Sequence, residues 1–279
     1  MKKTILITGT SSGLGKTAAQ FFASNGWNVV ATLRNPSYDA NLASLDGVLV
    51  TRLDVQDRAS IQTAIEAGIA RFGRIDALVN NAGFGLFGLF ESTPREKIQE
   101  QFEVNVFGIM EVTRAILPHF REQRSGLIIN VTSGAGIFGL PMLSLYCASK
   151  FAVEGFSEAL SYELVSQNIG VKIVEPGGVI STNFGKRSGI EAAQSAMIAD
   201  YESFVAGANA TFAGLRAERH ATEEDVAKVI FQAATDGTTQ LRYVATEDIV
   251  PWVKMRREAS EAEYIPFMRA QVSPKESEH

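Results

Sequence analysis

The chain is poor in cysteine, in histidine and in long apolar runs. One cysteine, Cys147, stands among 279 residues, so no internal disulfide can brace the fold. Of the three histidines, His119 and His220 stand apart from any cluster that would suit a metal or a catalytic triad, and no metal is expected. No stretch approaches the roughly 20 apolar residues that a membrane-spanning helix needs. The opening Met1-Lys2-Lys3-Thr4-Ile5-Leu6-Ile7 starts like a signal peptide, but its short apolar run meets Thr8-Gly9 at once and reads as a first strand. Basic blocks are missing too. The 26 Lys+Arg against 31 Asp+Glu leave a net charge of −5, with no patch suited to nucleic acid or an anionic membrane. The expectation is a soluble cytoplasmic protein.

What is present is a packable core. Apolar residues make up 46% and charged residues 20%, which excludes a disordered chain. The length suits one large α/β domain spanning 1–279. Short β-branched or apolar runs alternate with helical patterns: strands are predicted at Thr4–Thr8, Trp27–Leu33, Val48–Leu53, Ile75–Val79, Leu127–Val131, Val171–Val174 and Gln240–Ala245. Helices are predicted over Lys16–Asn25, Asp57–Phe72, Ile98–Phe120 and from Tyr146 to about Gln167. A further helix starts at Thr222-Glu223-Glu224-Asp225 in capping-box fashion. Residues 181–215 carry no strand signal and read as a mobile helical excursion covering a site. The tail from Pro251 is amphipathic and charged.

Two regions point to chemistry. Between the first strand and helix, Gly9, Ser11, Ser12, Gly13, Leu14 and Gly15 form a G-x-x-x-G-x-G turn. Such glycines let the backbone approach a pyrophosphate that faces a helix N-terminus, although an ordinary glycine-rich βα turn has the same composition. At the end of the second strand, Leu33 stands where an acidic residue would favour NAD, and Arg34 follows. A guanidinium can hold the 2′-phosphate of NADP through two hydrogen bonds, so NADP(H) is the expected cofactor. Asp54-Val55 ends the third strand, where the carboxylate could meet an adenine amino group or cap the next helix. Asn81-Ala82-Gly83, after the fourth strand, offers small residues against a cofactor. Phe84, Phe87, Phe138, Leu140 and Phe184 suggest a greasy pocket.

The second region is Tyr146-Cys147-Ala148-Ser149-Lys150, with the phenol and ammonium one helical turn apart. Ser133 lies upstream at a strand end. Asn105 sits inside an apolar helical stretch, where asparagine needs a partner or a local distortion. Cys147 reads as a small buried filler.

The glycine turn, Asn-Asn-Ala-Gly, Asn105, Ser133, Tyr146/Lys150 and Pro176-Gly177, in that order, closely resemble the short-chain dehydrogenase/reductase family over roughly residues 4 to 185. The resemblance implies a doubly wound Rossmann fold with a seven-stranded parallel sheet and a nicotinamide cofactor. It implies that Tyr146 is the general acid/base, that Lys150 favours its phenolate and binds the nicotinamide ribose, and that Ser133 polarises the substrate oxygen. Asn105 would hold a water leading to solvent. Pro176, Gly177, Val179 and either Ser181 or Thr182 would meet the nicotinamide. Relatives commonly pair through the helices around Asn105 and Tyr146, implying a homodimer or homotetramer. The activity so implied is hydride transfer between NADP(H) and a secondary alcohol or ketone with apolar surface. The alternative is a non-catalytic NADP(H)-binding sensor or scaffold, for which an intact proton donor has no use.

Overall fold

The computed structural model describes residues 2–36, 40–179, 198–217 and 220–273. Seven strands form one parallel sheet: β1 Thr4–Thr8, β2 Asn28–Leu33, β3 Val48–Arg52, β4 Ala77–Asn80, β5 Gly126–Val131, β6 Ile169–Glu175 and β7 Arg242–Val244. Their spatial order is β3-β2-β1-β4-β5-β6-β7. The order reverses between β1 and β4, where Ile5 to Ile7 pair with Ala77 to Val79. In open α/β sheets, ligands bind beyond the strand carboxyl ends at such a switch point.

The helices are α1 Gly13–Ser24, the short α2 Ala40–Ala43, α3 Arg58–Phe72, α4 Arg95–Phe102, α5 Gly108–Glu122, α6 Ser144–Leu164, α7 Glu202–Ala217, α8 Glu223–Thr235, α9 Val250–Glu258 and α10 Glu261–Val272. Alternation along each strand divides the core into two layers. Ile5, Ile7, Val29 and Val79 pack against Ala18 and Phe22 of α1 and Ile230 of α8. Leu6, Val30, Leu78 and Ile128 face Ile61 and Ile65 of α3 and Ile116 of α5. Each of the Val, Leu, Ile and Phe side chains among them, fully buried, contributes about 2 kcal/mol.

Local chemistry sets the ends of α3. Asp57, not Asp54, is its cap, accepting from Ala59 N at 3.1 Å and Ser60 N at 3.2 Å. Gly73 ends it at φ +84°, a left-handed conformation that favours glycine. The Thr222 capping box forms as expected, with the Thr222 hydroxyl and Asp225 carboxylate bonding reciprocally.

One predicted helix is interrupted. Instead of running unbroken from Ile98 to Phe120, it splits into α4 and α5 around a π-helical turn, Glu103–Phe107. Asn105 lies in that turn.

Candidate active site

The carboxyl ends of β1, β4, β5 and β6 converge on one edge of the sheet, and the turns that follow them carry the candidate residues. The glycine turn is shaped by close approach. Gly9 has φ +74°, and a Cβ there would lie 2.9 Å from Ala82 Cα. A Cβ on Gly15 would lie 2.3 Å from the Gly9 carbonyl oxygen and 2.3 Å from Asn81 Nδ2. Thr8 Oγ1 accepts from the Asn81 and Ala82 amides, each at 3.0 Å. The Asn81 side-chain Nδ2 donates to Thr8 O at 2.9 Å. Ser12 precedes α1 in extended conformation and makes no side-chain cap, so its hydroxyl does not satisfy the helix's first amides. This cradle fits the pyrophosphate of a dinucleotide.

Around it, Leu33 is buried at the end of β2 and Arg34 is exposed. Asp54 Oδ1 accepts from Gln56 N at 3.1 Å. Val55 is buried against Gly108 of α5, where a Cβ would meet Val55 Cγ2 at 2.6 Å. The Gly177 and Gly178 amides donate to Thr246 Oγ1 at 2.8 Å and Asp248 Oδ2 at 2.9 Å. A Cβ on Gly177 would lie 2.5 Å from both of those side chains. Val179 is partly buried. Ser181, Thr182 and Phe184 lie outside the described residues.

Ser133 follows β5 and opens a 3-10 turn, Gly134–Gly136. Its hydroxyl oxygen accepts from Ala135 N at 3.2 Å and hydrogen-bonds Tyr146. Tyr146 lies in the first turn of α6. Lys150, one turn on, places Nζ 5.7 Å from the Tyr146 ring centre and donates to Val131 O at 3.0 Å. Both side chains are buried.

Burial reverses one expectation. The Tyr146 phenol is pushed up to about 12 because desolvation penalises its anion more than the Ser133 hydrogen bond favours it. Lys150 is pulled down to about 8 by the same desolvation, opposed by Glu154. The phenol thus stays above its ordinary range although Lys150 lies one turn away, its ammonium turned to the Val131 carbonyl.

Asn105, fully buried, is a clamp. Its Oδ1 accepts from Phe84 N at 3.0 Å, while its Nδ2 donates to Phe84 O at 2.8 Å and Ser149 Oγ at 3.2 Å. The side-chain amide is thus committed to protein groups. Gln101, one turn earlier, accepts from Leu86 N at 2.9 Å and donates to Phe84 O at 2.6 Å. Sequence reasoning missed Gln101, though its spacing of four before Asn105 was a usable signal. It also missed Thr246 and Asp248, roughly seventy residues from the loop they hold, for which no local signal exists.

Phe87 and Leu140 pack with Leu143, Tyr146 and Phe212 in one apolar cluster, Phe212 meeting Phe87 edge-on at 5.4 Å. Helix α7 thereby contributes Phe212 to the cluster that holds Tyr146. Phe84 is buried and held through its backbone. Phe138 is not a pocket residue: it is 2% exposed and its ring packs 5.2 Å from Trp252, in a cluster with Ile249 and Val253. The turn after Ser133 points it into that cluster. A cavity of about 460 Å³ is lined by Gly88, Leu89, Phe90, Met142, Ser144 and Tyr201.

The fold and these residues define a nicotinamide-dependent oxidoreductase framework, and comparison with known proteins agrees. The family described as short chain dehydrogenase matches residues 3–192. An uncharacterised oxidoreductase of Schizosaccharomyces pombe is 38% identical over 242 residues, covering 86% of this chain and 99% of its own. Human 17-beta-hydroxysteroid dehydrogenase type 1 is 32% identical over 285 residues, covering 96% and 85%. A solved short-chain dehydrogenase from Streptomyces avermitilis superposes with a TM-score of 0.82 at 32% identity, covering 97% of both chains. Similar solved structures hold NADP in some cases and NAD or NADH in others. The chain belongs to the short-chain dehydrogenase/reductase family.

Proposed function

We propose that the protein interconverts ketones and secondary alcohols of substantial apolar surface using NADP(H), with Tyr146 as the general acid/base. The observation that carries this reading is the Tyr146–Ser133 hydrogen bond with the Lys150 side chain packed one helical turn beneath. When bound, the reduced nicotinamide supplies the hydride that goes to the carbonyl carbon. The carbonyl π electrons move to oxygen, Ser133 donates a hydrogen bond to that oxygen, and Tyr146 transfers its phenolic proton to it. The products are the alcohol, the oxidised nicotinamide and a phenolate beside the Lys150 ammonium, to which solvent returns the proton. General acid catalysis of this kind contributes about 10²- to 10⁴-fold. The test is NADPH consumption with a panel of ketones. Tyr146→Phe should lose at least about a hundredfold in kcat, and small polar carbonyls outperforming hydrophobic ones would overturn the substrate class.

The apolar preference is supported by Phe87, Leu140 and Phe212 in the cluster that includes Tyr146, and by the steroid alcohol named for the human relative. The NADP preference is supported by exposed Arg34 following buried Leu33; Arg34→Ala should raise the Kd for NADPH and leave that for NADH nearly unchanged. Phe107 and Phe151, 50% and 41% exposed on the segments beside Asn105 and on α6, support association with a second copy of this chain.

A further inference from the structure

Tyr146, Lys150 and Glu154 occupy three successive turns of α6, four residues apart and along one face. All three are buried, at 8%, 5% and 7% exposed. Their polar ends engage three consecutive residues at the end of β5. Tyr146 bonds Ser133, Lys150 Nζ donates to Val131 O at 3.0 Å, and Glu154 Oε1 accepts from Thr132 Oγ1 at 2.6 Å. The first two contacts belong to the site already described. The third does not, and a carboxylate is costly to bury unless it is paired.

Glu154 is paired on its far side. Arg242 of β7 donates from Nε to Glu154 Oε2 at 3.0 Å and from Nη2 to Glu158 at 2.6 Å. Glu175, at the end of β6, lies 3.6 Å from Arg242 Nε and accepts from Arg257 of α9 at 2.5 Å. Packing against the helix is close as well: a Cβ on Gly136, in the turn after Ser133, would lie 3.1 Å from Glu154 Cγ and 3.2 Å from the Lys150 carbonyl oxygen. The turn carrying Ser133 therefore rests directly on the Lys150–Glu154 segment. Thr132 N also donates to Val174 O, and Gly134 N to Pro176 O, so the strand end held by Glu154 continues into the loop expected at the nicotinamide.

We propose that Glu154 is a positioning residue of this active site: its carboxylate holds the Thr132 end of β5 so that Ser133 faces Tyr146, and it supplies the negative charge one helical turn beyond Lys150 that keeps the lysine an ammonium. The inference rests on Tyr146 being the proton carrier of the proposed reaction. Within α6, Lys150 is flanked by Tyr146 and Glu154. Behind Glu154, Arg242 pairs with Glu154, Glu158 and Glu175, and Arg257 pairs with Glu175. Burial draws the lysine down to about 8, and Glu154 is the group that opposes it.

The test is an NMR titration of the Lys150 ε-carbon in lysine-labelled protein, run on wild type, Glu154→Gln and, as control, Glu163→Gln on the exposed side of the same helix. In Glu154→Gln the Lys150 midpoint should fall by about one pH unit, and kcat for ketone reduction near neutrality should fall with little change in KM. Glu163→Gln should move neither. A folded Glu154→Gln protein that titrates Lys150 at the wild-type midpoint would overturn the proposal, whatever its kcat. Should Glu154→Gln fail to fold, Thr132→Val isolates the hydroxyl contact: kcat falling at constant KM and melting temperature supports the proposal, and unchanged kcat overturns it. If wild type reduces no ketone, the oxidoreductase reading fails on its own, while the lysine titration still decides whether Glu154 holds the charge.

Discussion

At the scale of single residues, burial decides the chemistry. The Tyr146 phenol at about 12 and the Lys150 ammonium at about 8 leave both groups protonated at neutral pH, the state suited to donating a proton to a carbonyl. The kcat for ketone reduction at saturating NADPH should therefore be level through neutrality and decline as pH rises past about 8, as the ammonium is lost; a pH–rate profile checks this. Glu175 is the second case. Its carboxyl is pushed up to about 7, first by burial and then by Glu154, with Arg257 and Arg242 opposing. Across the window from its ordinary value of 4.5 to about 7, the folded state keeps a proton that the unfolded chain releases, so this group's stabilisation is present below the window and lost as pH rises through it. Melting curves should show wild type losing about 3 kcal/mol of stability over that range, with Glu175→Gln removing most of the slope.

At the scale of elements, the turns matter more than the strands and helices they join. Gly9 combines a positive φ with contact against the Ala82 backbone, so Gly9→Ala combines strain with a clash that no flexible side chain can relieve. It should cost about 2 kcal/mol of stability and weaken dinucleotide binding more than tenfold, read by titrating cofactor fluorescence. The glycine turn was legible in sequence because it depends on residues a few positions apart. The π turn was half legible. Asn105 in an apolar helix signalled a distortion, but its clamp on Phe84 depends on where the β4 loop returns. Phe138 was misplaced for a related reason: its apolar neighbours Leu140 and Pro141 read alike whether they face a pocket or the core, and only the approach of Trp252, more than a hundred residues on, settles which.

At the scale of the whole molecule, several large apolar side chains stay exposed. No helix among the described residues is long and apolar enough to cross a membrane. Yet the segments flanking Asn105 and α6 expose Phe107, Phe151, Tyr162 and Val165, at 50%, 41%, 71% and 73%. Scattered apolar residues need no explanation, but large ones on neighbouring helices suit a partner. Phe107→Glu combined with Phe151→Glu should shift sedimentation from an oligomer to the monomer, with the melting temperature of the monomeric fold falling by only a few degrees. A wild type that sediments as a monomer would remove the basis for this.

The sequence by itself determined the alternation of strands and helices, the glycine cradle after β1 and the helical pairing of Tyr146 with Lys150, because each depends on periodicity or spacing within a few residues. Only the tertiary structure decided that Thr246 and Asp248 hold the Gly177–Gly178 loop, that Glu154 and Arg242 stand behind the lysine, and that the phenol rises rather than falls in pKa. Those outcomes depend on which strand ends lie side by side and on how much water their packing removes, and neither quantity is encoded in any short stretch of chain.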